Sequence, residues 1–194
     1  MTRTGPTPAA IAILAAAVTL VAGCGGPAID RSASAPASVA VSSSVVAHNS
    51  ADEVFTLEMI RCHQQAIQMS EIVLGKRDVD ARIVQVARQI QSMQPVELEH
   101  MLSWLRQWEI PASAPRDGCS QPGVTDGDAL RVAEGPTAGR VYLNQMIGHH
   151  QRAIKLAHNE IRDGEFRAAV ALATSIATIQ QIEIDTMAAI LKTA

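Results

Sequence analysis

The chain has 194 residues, a net charge of −3 and aromatic side chains at only 3%. Its Lys and Arg residues are scattered and form no basic patch, which argues against nucleic acid as a partner. With so few aromatics the core must be built from Ala, Ile, Leu, Val and Met, a composition that favours closely packed helices over a β-sandwich.

Residues 1–23 carry Arg3 as their only charge and run through the apolar segment Ala9–Val21. That segment is shorter than the roughly 20 residues a membrane-spanning helix needs, and it suits the centre of a signal peptide. It ends in Val21-Ala22-Gly23-Cys24, which resembles the lipobox of bacterial lipoproteins. The resemblance implies cleavage before Cys24 and acylation of that cysteine. A single Arg3 argues against twin-arginine export. Residues 24–50 are mostly Ser, Ala, Pro and Val with no period, and read as a flexible tether. The folded domain is therefore 51–194. It is expected on the outer face of the cytoplasmic membrane or the periplasmic side, held to lipid through Cys24.

Within that domain, Asp52 to Gly75 places Phe55, Met59, Ile60, Ala66, Ile67 and Val73 at helical spacing, and Gly75 is a C-terminal stop. Asp78 or Asp80 can cap a second helix reaching about Trp108, with Pro95 inside it as a potential kink. A linker rich in Pro, Gly and Asp follows, with a short helix predicted at Asp126–Ala133. A third long helix is predicted from Pro136 to Asp163, broken by Gly164, and a fourth from Glu165 to Lys192. Two hairpins joined by such a crossover make a four-helix bundle. The expected fold is all-α and ferritin-like, with up-down-up-down order. That order would set Met59 level with Gln94, and Met146 level with Gln180, gathering the polar residues towards one end.

The two hairpins, about 52–108 and 137–192, are copies of each other. Met59-Ile60-Arg61-Cys62-His63-Gln64 returns as Met146-Ile147-Gly148-His149-His150-Gln151, and Gln94, Glu97 and Met101 return at the same spacing as Gln180, Glu183 and Met187. A repeat of this length shows how the fold is assembled. Packing explains repeated apolar residues; repeated Met, His, Gln and Glu ask for more. Met59 and His63 share a helix face, as do Met146 and His150, with Cys62 and His149 flanking them. Thioether, thiolate and imidazole together select soft or borderline metals, copper above all. The candidate ligands are Met59, His63, Glu97 and Met101 in the first copy, and Met146, His149, His150, Glu183 and Met187 in the second. The second copy keeps both imidazoles and is the fuller set. The competing reading is a scaffold or partner-binding lipoprotein, in which Met fills gaps in the core and His bonds to Gln and Glu as a buried structural network.

These motifs, duplicated over about Asp52 to Leu191, resemble the bacterial family numbered 305 among domains of unknown function. The resemblance implies a secreted, ferritin-like four-helix protein with no agreed enzymatic activity, in a family some of whose members are implicated in periplasmic copper binding. It points to Met146, His149 and His150 as the intact motif, with Met59 and His63 in a partial copy. Cys62 stands where the first His of that copy would be. Leu156 replaces a trailing Met that the first copy keeps as Met69, and Gly123-Val124 stands where many relatives have Met-rich or His-rich linkers.

A di-iron oxidase would need Glu-x-x-His in both halves. Glu97-Leu98-Glu99-His100 fits, but Glu183-Ile184-Asp185-Thr186 does not. A Cys62–His63 nucleophile has no third group to orient it. Neither supports an enzyme. With Cys24 acylated, Cys62 and Cys119 form an even pair in an oxidising compartment, which favours a disulfide; the alternative is Cys62 as a thiolate ligand. The sequence thus points to an exported lipoprotein that binds or buffers a soft metal, copper first, without catalysis.

Overall fold

The computed structural model describes residues 47–113, 118–119 and 128–193. Cys24 and the tether up to residue 46 lie outside the described residues. Among the described residues five helices follow in chain order: α1 (Ser50–Leu74), α2 (Ala81–Gln107), α3 (Asp128–Val132), α4 (Gly135–Asp163) and α5 (Arg167–Leu191). None of the described helices is long and apolar enough to cross a membrane.

Local chemistry sets the helix ends. The Asn49 side chain accepts from the Ala51 and Asp52 N–H groups, while Asp52 accepts in return from the Asn49 N–H at 2.6 Å. This reciprocal cap starts α1. Gly75 ends it, and Asp80 caps α2 through the Arg82 N–H. Pro95 does not end α2, which continues through it to Gln107. Pro136 sits in the first turn of α4, where its missing N–H costs nothing. The start of α5 has no side-chain cap of its own. Asp52 supplies one from α1, its carboxylate accepting from the Phe166 N–H at 2.9 Å and from the Glu165 N–H at 3.2 Å.

The side-chain contacts define the topology. Asn49 Nδ2 at the start of α1 donates to the Asp163 carbonyl at the end of α4, and Ser70 near the end of α1 bonds Tyr142 near the start of α4. The two helices are therefore antiparallel. Arg82 at the start of α2 reaches Thr193 beyond the end of α5, so these two also run antiparallel. The order of directions is up-down-down-up, not the up-down-up-down expected from the sequence. The reason is the crossover. It travels from the end of α2 past the middle of α1, where Cys119 is joined to Cys62, and on to α3, where Lys76 holds the Arg131 carbonyl and Glu134. It spans the length of the bundle, so α4 starts at the opposite end from α1. Such a long crossover belongs to ferritin-like bundles.

This arrangement relates the two hairpins by an approximate two-fold axis that crosses the bundle, and it moves the polar residues. One apolar cluster contains Phe55, Met59, Met101, Trp104, Leu105, Ala157 and Ala169. The other contains Ala66, Val73, Ile83, Tyr142, Met146, Met187 and Ile190. His63, Gln94, His149, His150, Gln180 and Glu183 lie between them along all four long helices, and all are buried. The polar set is a central layer and is not gathered at one end.

Candidate metal centre

The layer is built from two equivalent pairs. His63 Nε2 on α1 lies 2.7 Å from Glu97 Oε2 on α2, and His150 Nε2 on α4 lies 2.9 Å from Glu183 Oε2 on α5. Both imidazoles are 0% exposed. The spacing follows from the hairpins. Each His is one turn from its Met on the first helix of its hairpin, and each Glu is one turn from its Met on the returning helix. Consequently Met59 and Met101 fall in one apolar cluster, and Met146 and Met187 in the other. All four thioethers are 0% exposed. The register differs from the one expected: His63 is level with Glu97, and His150 with Glu183.

The hydrogen bonding is incomplete from the protein side. His63 Nδ1, His150 Nδ1, Gln94 Oε1 and Gln180 Oε1 are buried with no partner from the protein. A buried network that existed only to hold register would be expected to satisfy such groups. A cavity of about 10 Å³ opens between α2 and α5, lined by Gln94, Glu97, Gln180 and Glu183 among others. It has room for about one water-sized particle, and it brings the carboxylates of both copies to the edge of the same opening.

His149 stands apart. It occupies the position equivalent to Cys62, and the two-fold relation brings the two face to face. The nearest ring nitrogen of His149 and the sulfurs of Cys62 and Cys119 all lie within 4.8 Å of one another. Its ring centre is 6.0 Å from that of His150. Burial first, then the neighbouring His150, Arg152 and His63, hold its pKa well below 6.5, so the ring is neutral. His149 thus faces the disulfide, and each copy contributes one His–Glu pair. His100, Thr186 and His158 are exposed and do not face the layer.

Sequence reasoning missed the groups that seat the crossover. Gly118 N–H donates to Glu58 at 2.7 Å, Cys119 N–H to Gln65 at 3.1 Å, and Arg152 Nε to the Cys119 carbonyl at 2.5 Å. Gly118 has φ +62°, and a Cβ there would stand 2.5 Å from Arg61 Cβ, so only glycine permits this approach. A glycine directly before the crossover cysteine was the available signal.

A four-helix bundle of two equivalent hairpins around a central His–Glu layer, flanked by buried thioethers, defines a class of helical protein with donors suited to a soft metal. The chain belongs to the DUF305 family, a domain of unknown function, whose profile matches residues 52–191. It is similar to a Streptomyces coelicolor DUF305 protein described as secreted, at 29% identity and a TM-score of 0.65, covering 73% of this chain and 91% of that one. It is also similar to CopM in its Cu(I)-bound form, at 31% identity and a TM-score of 0.63, and in its Cu(II)-bound form, at 30% and 0.64. Each of these two comparisons covers 73% of this chain and 95% of CopM. Among curated proteins none matches the sequence.

Proposed function

We propose that the protein is an exported, lipid-anchored, non-enzymatic binder of a soft transition metal, with copper the first candidate. The observation that carries this reading is the pair of buried His–Glu couples whose Nδ1 atoms find no partner in the protein. In each couple the carboxylate on Nε2 would fix the ring and raise its basicity, leaving Nδ1 as the ligating atom. Glu97 and Glu183 are then orienting groups. His63 and His150 are ligands, and Met59, Met101, Met146 and Met187 are the thioethers available beside them. Imidazole with thioether suits copper in both oxidation states. CopM, which shares this fold, has been solved with Cu(I), Cu(II) and silver bound, and that likeness supports copper here.

Copper titration of the purified chain tests the proposal. His63→Ala and His150→Ala are each expected to weaken binding by at least about tenfold, and the double variant by more. His158→Ala, which alters an exposed histidine, should titrate as the parent does. Equal binding by the parent and all four variants would leave the scaffold reading as the better account.

Anchoring makes a separate expectation. A Cys24→Ser variant should lose its acyl chains and move into the aqueous phase of a detergent phase separation, while the parent stays with the detergent. A variant that partitions like the parent would disprove the lipid anchor without touching the metal reading.

A further inference from the structure

We propose that Cys62, Cys119 and His149 form a second, redox-gated metal site, which takes a sulfur-seeking d10 cation such as Zn²⁺, Cd²⁺ or Cu⁺ once the disulfide is reduced. It goes beyond the central layer and shares none of that layer's proposed ligands. Three donors already converge: the two sulfurs and a His149 nitrogen lie within 4.8 Å of one another. Two thiolates on one such ion sit about 3.8 Å apart, from metal–sulfur bonds of about 2.3 Å at a tetrahedral angle. The sulfurs, joined in the oxidised chain, must move apart to that distance once the bond opens. All three residues are 1% exposed, and the polar neighbour of the His149 ring is the Cys62 backbone, with no side-chain hydrogen-bond partner at either nitrogen. A buried imidazole beside two sulfurs, with no side-chain partner of its own, is unexplained by packing.

The site survives opening of the disulfide because Cys119 is held independently of it. Its N–H is bonded to Gln65, its carbonyl to Arg152, and the preceding Gly118 N–H to Glu58. These three contacts tie the crossover to both α1 and α4. A surface groove of about 350 Å³, lined by Glu58, Gly118, Cys119, Arg152 and Lys155 among others, reaches the cysteine from outside and gives a reductant its approach.

The chemistry balances with a dithiol as reductant. One of its thiolates attacks a protein sulfur, the Cys62–Cys119 bond breaks, and a mixed disulfide forms. Its second thiol resolves that intermediate. Two electrons and two protons pass to the protein, Cys62 and Cys119 become thiols, and the reductant leaves as its own disulfide. The cation then displaces one proton from each thiol and adds to the His149 lone pair. A fourth coordination position stays open.

The test uses the full chain with Cd²⁺ as the probe. The chain is reduced with a phosphine and then freed of reductant without air. The reduced chain is expected to bind one Cd²⁺ with the ultraviolet charge-transfer band of thiolate coordination, and the oxidised chain to show no such band. His149→Ala should weaken the reduced site by at least about tenfold. The more conservative His149→Gln should weaken it while keeping the parent's helical circular dichroism. A His63→Ala/His150→Ala chain should keep the cadmium band even where it has lost copper, which separates this site from the central layer. The proposal is overturned by a reduced chain without the band, by unchanged affinity in both His149 variants, or by loss of helix on reduction that Cd²⁺ does not reverse.

Discussion

A Cys62→Ala/Cys119→Ala chain is expected to unfold at a clearly lower urea concentration than the parent, with a loss of up to about 4 kcal/mol. The bond closes a loop with a sequence separation of 57, and in the chain-entropy account most of its effect is to restrict the unfolded chain. The native fold does not depend on it alone, since Glu58, Gln65 and Arg152 also hold the crossover. A domain with a total stability of roughly 5–15 kcal/mol should therefore stay folded but with a reduced margin. Non-reducing peptide mapping of the parent should recover the Cys62–Cys119 link. Matching urea midpoints for parent and variant, or quantitative alkylation of both unreduced thiols, would show that the crossover is held by its hydrogen bonds alone.

The second large effect is a pH dependence centred on Glu160. Its carboxyl is 1% exposed beside Asp52, and burial, then the Asp52 carboxylate, push its pKa from 4.5 up to about 8. Folding therefore favours its protonated form. Its contribution is full below about pH 4.5 and is lost as pH rises through about 8, by an amount on the order of a few kcal/mol. Asp52 has the opposite sign. Burial works to raise its pKa, but the neighbouring Asn49, Glu160, Phe166 and Glu165 outweigh this and the pKa lies below 3.8. Its contribution is present above that value and fails only as pH falls further. His149, held neutral, adds a loss as pH drops below 6.5. A Glu160→Gln variant isolates the alkaline part. Denaturant unfolding should find parent and variant similar near about pH 4, with the variant increasingly the more stable towards about pH 9. A constant difference across that range would refute the assignment. Gly164 belongs to the same corner, because a Cβ there would collide with Oε1 of the Glu160 carboxyl.

Much of this molecule was readable in one dimension. The helix limits follow from local rules: Asp80 as a cap, Gly75 and Gly164 as stops, Pro136 in a first turn. The hairpins and their chemistry follow from the repeat. Met59, His63, Glu97 and Met101, with their counterparts Met146, His150, Glu183 and Met187, recur because each set occupies one face of a helix and the face opposite. Those relations span a few residues, or one short turn, and the chain's own geometry settles them.

The relation between the hairpins was not readable in the same way. Direction depends on whether the crossover stays at one end of the bundle or travels its length, and composition does not distinguish the two. Only the folded chain shows it travelling, pinned midway at Cys119 and again at Lys76. That one choice makes α1 and α4 antiparallel. It places the polar residues in a central layer, and it turns His149 from a partner of His150 into the neighbour of Cys62 and Cys119. The Asp52 cap on α5 and the Asp52–Glu160 pair have the same origin, since they join residues more than a hundred positions apart. Spacing along a chain determines which side chains share a face. Which faces meet is decided by how the hairpins dock, because burial rewards any docking that covers the apolar stripes, and here the crossover selects one of them.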